Sequence, residues 1–201
     1  MSSPEALKAL LTDIRACRYC EADLPLGPRP VLSAAYDAKI LLVGQAPGTK
    51  VHATGIPWND PSGVRLRAWL DMEPEIFYDK HKIAIVPMGF CYPGKGKRGD
   101  LPPRPECTAL WQAQLKAQLP SIQVIITIGM YAQKYYLGKK RKKTLTETVK
   151  HWREYLTDGI IPLVHPSPRN MMWQRRNPWF EDELVPAMRL KVWEVLGSPA
   201  D

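Results

Sequence analysis

The sequence predicts a three-layer α/β/α fold built on a central, mainly parallel four-stranded sheet, and three observations predict it. Four short β-branched or aliphatic runs recur along the 201 residues, at Ile40 to Val43, Ile83 to Val86, Val124 to Ile128 and Ile160 to Val164. Stretches with helical spacing of apolar residues lie between them, the βαβ pattern of a parallel sheet. The 45% hydrophobic content suits a sizeable packed core, so one domain over 1–201 is the expectation.

The elements follow in order. Ser3 can cap a helix with Pro4 at its first position, and Leu7, Leu10, Leu11 and Ile14 then share one face. That helix leads into Cys17, and the Pro- and Gly-rich connection from Leu24 to Pro30 is too constrained for regular structure. Helices are expected at Gly63 to Leu70, Glu106 to Leu119 and Met130 to Leu137, and a last one carries Phe180, Leu184, Met188 and Val192 four residues apart. Together they would cover both sheet faces. Ligands of open parallel sheets bind beyond the carboxyl ends of the strands, so chemistry is expected after Val43, Val86, Ile128 and Val164.

Two of those ends, and the segment that follows the first, carry distinctive residues. Gly44-Gln45-Ala46-Pro47-Gly48 follows the first strand, and its glycines let backbone amides approach a ligand. It is neither a P-loop nor a dinucleotide fingerprint, since no Gly-Lys-Ser/Thr closes it and Gly-x-Gly-x-x-Gly is missing. A tight turn is the plainer reading. In Gly55 to Gly63, Trp58 stands two residues before Asp60, just ahead of a helix. Asp60 or Ser62 could be only a helix cap, but an indole beside an acid also suits a pocket that stacks a planar base. The fourth strand runs into His165-Pro166-Ser167-Pro168-Arg169-Asn170, where two prolines stiffen a loop presenting His, Ser and Arg at the crevice.

Charge points the same way. Twenty-eight Lys and Arg against 20 Asp and Glu leave a net +8 and a pI near 9.4, which favours polyanionic partners such as nucleic acid. No stretch approaches the roughly 20 apolar residues of a membrane span, and the N-terminus lacks the basic and apolar regions of a signal peptide. A cytoplasmic monomer with no membrane contact is expected. In that reducing compartment Cys17, Cys20, Cys91 and Cys107 read as metal ligands or buried thiols rather than disulfides. Two close thiolates plus two brought in by the fold can complete a site for zinc or for iron-sulfur. The segment Pro93 to Arg98 between the later pair is basic enough to touch a phosphate backbone, and a second basic run, Lys139-Lys140-Arg141-Lys142-Lys143, reads as a solvated loop or a phosphate contact.

Taken together, the Gly44 to Gly48 loop, the Gly55 to Gly63 segment, the four cysteines and the His165 to Asn170 loop resemble the uracil-DNA glycosylase superfamily, with every motif in order from about Cys17 to Asn170. The cysteine spacing looks closest to the iron-sulfur-containing prokaryotic branches, the fourth and fifth families. The resemblance implies base-excision repair of DNA containing a damaged base. It implies a structural 4Fe-4S cluster on Cys17, Cys20, Cys91 and Cys107, with zinc as the alternative. Gly44, Gln45, Ala46, Pro47, Gly48 and Trp58 would bind the base. Asp60, in an Asp-x-Ser-Gly pattern, and His165 would be catalytic; Ser62, Ser167, Pro168, Arg169 and Asn170 would meet DNA. The base would fit between the indole and the imidazole.

The chain also departs from its relatives. Gln45 stands where the fourth branch has Glu, Ala46 where the best-known branch has a catalytic Asp, and Pro87 where the fourth branch offers an Asn to uracil. Excision of uracil is the leading expectation. Excision of deaminated purines, and a non-catalytic relative that only binds damaged DNA, are the alternatives.

Overall fold

The computed structural model describes residues 2–97 and 99–197. In chain order the helices are α1 (Pro4–Ala16), α2 (Thr49–Thr54), α3 (Pro61–Leu70), α4 (Pro74–Phe77), α5 (Pro105–Cys107), α6 (Ala113–Ala117), α7 (Met130–Leu137), α8 (Leu145–Lys150), α9 (Trp152–Leu156), α10 (Met171–Arg176) and α11 (Val185–Leu196). The strands are β1 (Ile40–Val43), β2 (Ile83–Ile85), β3 (Lys95–Gly96), β4 (Gly99–Asp100), β5 (Val124–Ile128) and β6 (Ile160–Leu163). A four-stranded, all-parallel sheet runs in the order β2-β1-β5-β6, and β3 and β4 form a separate hairpin. The observed architecture is thus the expected α/β/α sandwich.

Local chemistry accounts for the elements. Ser3 Oγ accepts the Ala6 amide 3.1 Å away, Pro4 needs no amide partner, and Leu7, Leu11 and Ile14 are buried. β1 is buried along its whole length because its alternate side chains enter different cores. Ile40 and Leu42 pack with Leu66 and Leu70 of α3 and with Phe180, Leu184, Met188 and Val192 at the C-terminal end. Leu41 and Val43 pack on the other face with Leu7, Leu11 and Ile14 of α1 and with Leu115. Each such side chain contributes roughly 1.5–3 kcal/mol by leaving water. Pro162, which has no amide to give, sits in the edge strand β6, the position a sheet tolerates.

The structure adds detail that apolar spacing does not carry. The helix expected from Glu106 to Leu119 is α5 and α6 joined by a π-helical turn at Thr108–Gln112, and a second such turn, Phe180–Leu184, precedes α11. Helices α2, α4, α8, α9 and α10 are short and carry too few apolar repeats to be read from sequence.

Candidate active site

The carboxyl ends of β1, β2 and β6 open onto one cavity of about 640 Å³. Gly44 to Gly48 line it after β1, Pro87 after β2, and His165, Ser167, Pro168, Arg169 and Asn170 after β6, joined by Trp58, Asp60 and Ser62. The indole, the carboxylate and the imidazole therefore share one space. The fourth expected position, after β5, is not among the lining residues: Gly129 turns with φ +82° directly into α7.

The Gly44 to Gly48 loop is tied from below. Its Gly44 and Gln45 carbonyls accept the amides of Met88 and Gly89, each at 3.0 Å, which zips the β1 and β2 ends together. The Gln45 side chain donates to the Leu101 carbonyl at 3.1 Å, so this amide holds the hairpin segment as well as facing the cavity. Among the described residues the amides of Gln45, Ala46 and Gly48 give no hydrogen bond to the protein, which leaves them for a ligand.

Trp58 and Asp60 sit on a turn that permits no slack. Trp58 has φ +56°, the left-handed region that non-glycine residues seldom adopt. A Cβ on Gly63 would land on the Trp58 carbonyl, and one on Gly44 would come within 2.9 Å of the indole Cζ2. The two glycines thus let the tryptophan lie down on the floor loop. Tyr78 donates to the same Trp58 carbonyl at 3.4 Å. Asp60 does cap α3, its Oδ1 accepting the Gly63 amide at 2.8 Å, and it also lines the cavity, so the cap and the site readings hold at once. Ser62, in the first turn of α3, is buried.

The His165 loop is shaped by its own side chains. Asn170 donates to the His165 carbonyl at 2.7 Å, and Ser167 Oγ accepts the Arg169 amide at 3.2 Å. Those two residues spend polar atoms on holding the loop, whereas Arg169 is exposed at the rim, its Nη1 3.4 Å from where a Cβ on Gly99 would stand. The His165 and Trp58 rings lie 5.6 Å apart, tilted by 35°. That separation is within the roughly 4.5–7 Å window of rings in direct contact, so the expectation of a base sandwiched between them is corrected: the two rings stand together in the lining of the cavity. Burial pulls the His165 imidazole below its ordinary value, opposed by the negative charges of Asp60 and Asp100. The ring is neutral at neutral pH and keeps one N–H to donate.

Sequence reasoning missed the β3–β4 hairpin, which supplies Lys95, Gly99 and Asp100 to the cavity. Asp100, the one acid between Cys91 and Pro105 in a basic stretch, was the available signal. It also missed two buried glutamines that pin the strand ends. Gln112 donates to the Pro87 carbonyl at 2.7 Å, and Gln133 to that of Leu163 at 3.0 Å. A polar residue on an apolar helix face, three before the buried Leu115, is the sign that could have marked Gln112.

Cys17, Cys20, Cys91 and Cys107 are all free thiols. Among the described residues no group of three or more His, Cys, Asp or Glu side chains is arranged to hold a metal ion. Three of the thiols are shifted by their surroundings. Burial, with a smaller push from the charges of Cys107, Cys17 and Cys20, raises the Cys91 thiol to about 11. Burial also raises Cys107 and Cys20, and Arg104 offers Cys20 a hydrogen bond.

The basic run lies elsewhere. Lys140 pairs with Asp158, just before β6 begins, so Lys139 to Lys143 stand at the amino ends of the strands, away from the cavity. Lys142 pairs with Glu154 at 2.6 Å. Arg98 of the other basic segment lies outside the described residues. No helix among the described residues is long and apolar enough to cross a membrane. Residues 30–189 match the family model described as the uracil DNA glycosylase superfamily.

Proposed function

The chain belongs to the uracil DNA glycosylase superfamily, which makes it a DNA glycosylase of DNA repair, and from that premise we propose that it hydrolyses the N-glycosidic bond of a deaminated base turned out of DNA, uracil foremost. The observation that carries this reading is the single cavity lined by Trp58, Asp60 and His165.

The bond is hidden in the stack, so the nucleotide must be extruded, at a cost of a few kcal/mol that is smallest for a mispaired base. The net +8 charge keeps the backbone engaged while this happens, and Arg169 at the rim is the group nearest to fill the gap left behind. The extruded base stacks on the Trp58 indole. As the bond breaks, positive charge develops on the sugar and negative charge on the base. Asp60 keeps one oxygen on its cap and turns the other toward the sugar. Neutral His165 and the amides of Gln45, Ala46 and Gly48 donate to the base anion.

A panel of duplexes containing uracil, hypoxanthine or xanthine tests the reading, with abasic sites revealed by alkaline cleavage. Release of uracil is expected, and a protein that binds these duplexes but yields no abasic product is a damage-binding relative instead. One observation favours a purine alternative. Pro87 lines the cavity without a polar side chain, so nothing on that wall demands a pyrimidine edge.

His165→Ala is expected to slow base release about a hundredfold in single turnover, the usual loss for one donor to a developing anion. With burial holding the ring below the ordinary value of 6.5, its protonation, and any activity change that follows, is expected only below that pH. An NMR titration of the ring checks the sign, and a midpoint above 6.5 contradicts it.

The cofactor reading is that Cys17, Cys20, Cys91 and Cys107 hold a 4Fe-4S cluster. Four free thiols support it, with the charges of Cys17, Cys20 and Cys107 all close enough to act on Cys91. When bound, the group supplies a covalent tie rather than redox chemistry. Cys91 and Cys107 bracket the β3–β4 hairpin, so the tie would fix the wall bearing Asp100. Purified protein is expected to be brown. Cys107→Ser is expected to lose the colour, become protease-sensitive between residues 92 and 106, and lose most base release; a colourless protein with stoichiometric zinc assigns the thiols to zinc.

A further inference from the structure

Resting on the glycosylase reading, we infer that Asp100, at the end of the β3–β4 hairpin, is a second catalytic carboxylate, which holds the attacking water while Asp60 faces the sugar.

Three observations carry this. First, the floor loop has an acid at each end. Gly44 lies under the Trp58 indole that leads to Asp60, and Gly48 lies beside Asp100, whose Oδ2 is 3.6 Å from where a Cβ on Gly48 would stand. A ligand resting on this loop sits between two carboxylates. Second, the acids differ in commitment. Asp60 gives Oδ1 to the Gly63 amide, whereas the Asp100 side chain makes no hydrogen bond or ion pair among the described residues, although Lys95 faces it across the hairpin. An uncommitted carboxylate can accept a water proton. Third, the charge of Asp100, like that of Asp60, reaches His165. The three groups therefore share one electrostatic site rather than lying on separate surfaces.

A rim anion on a protein that engages DNA repels phosphates, so its presence costs binding. Cleavage of a glycosidic bond gives it a use, because glycoside hydrolysis commonly employs two carboxyl groups, one of which activates the attacking water. In this step the C1′–N bond breaks and its electron pair leaves on the base. The water oxygen bonds to C1′, and its proton passes to Asp100 and then to the departing base. The products are the neutral base and an abasic sugar.

The test compares the parent holoprotein, Asp100→Asn and Asp100→Glu on a duplex whose base the parent releases. Rate is read in single turnover across pH, and affinity is read separately. Asp100→Asn is expected to slow release about a hundredfold while binding DNA at least as tightly, because an anion has left the rim. Asp100→Glu, which keeps a carboxylate at the same place, should partly restore the rate. Turnover of Asp100→Asn within about twofold of the parent, or a loss confined to weaker binding, overturns the assignment. A parent that releases none of the three bases overturns the glycosylase reading and this inference together; an active parent beside an active Asp100→Asn removes only Asp100.

Discussion

Asp60→Asn is expected to slow base release by about a thousandfold or more while damaged DNA is bound nearly as tightly as before. The substitution isolates charge from structure. Asp60 caps α3 through Oδ1 on the Gly63 amide, and asparagine is as good a cap as aspartate, so the helix start and the Trp58 turn should persist. What disappears is the negative charge facing the cavity. Asp60→Ala removes both roles and adds a stability loss of about 1 kcal/mol. Single-turnover rates and thermal unfolding on the two variants separate the contributions. Near-parental turnover in Asp60→Asn would leave Asp60 as a cap and nothing more.

Gly63→Ala is expected to do comparable damage by another route. Within a helix, alanine normally stabilises relative to glycine by about 1 kcal/mol, so propensity alone forecasts a gain. Here the added methyl falls on the Trp58 carbonyl and within 2.9 Å of the Trp58 Cβ, and no side-chain rotation relieves a clash with backbone. A loss of about 1–3 kcal/mol is expected, together with most base release, because Trp58 and Asp60 must shift jointly. Thermal unfolding supplies the decisive sign: an alanine variant more stable than the parent would mean that the turn yields easily.

Much of the fold was legible because the deciding interactions are local. β1 and β5 match their apolar runs end to end, and Ser3, Pro4 and the Leu7–Leu11–Ile14 face mark α1 without reference to anything distant. β2 and β6 stop one residue short of the expected ends, where Val86 and Val164 turn toward the loops. The hairpin was not legible, since two-residue strands have no period to detect and the Pro- and Gly-rich stretch around them reads as irregular. At the site, residue types pointed to the right loops, but the ring separation could not be foreseen. It depends on Gly44 and Gly63 letting the indole settle, and on a histidine more than 100 residues away meeting it there. Gln45 also looked like a base-facing side chain, yet its amide holds Leu101, a partner 56 positions along the chain.

The unyielding turn at Trp58 bears on any attempt to retarget the protein to a different lesion. Because the indole and the Asp60 carboxylate travel on one rigid bend, diversity introduced at either would disturb both stacking and charge, and a mutant library there would be dominated by dead clones. The opposite wall is the better place to randomise. Pro87 lines the cavity with its carbonyl held by Gln112 and, among the described residues, does not touch the Trp58 turn through any hydrogen bond, so new side chains at that position could reshape what the cleft admits while leaving the bend intact.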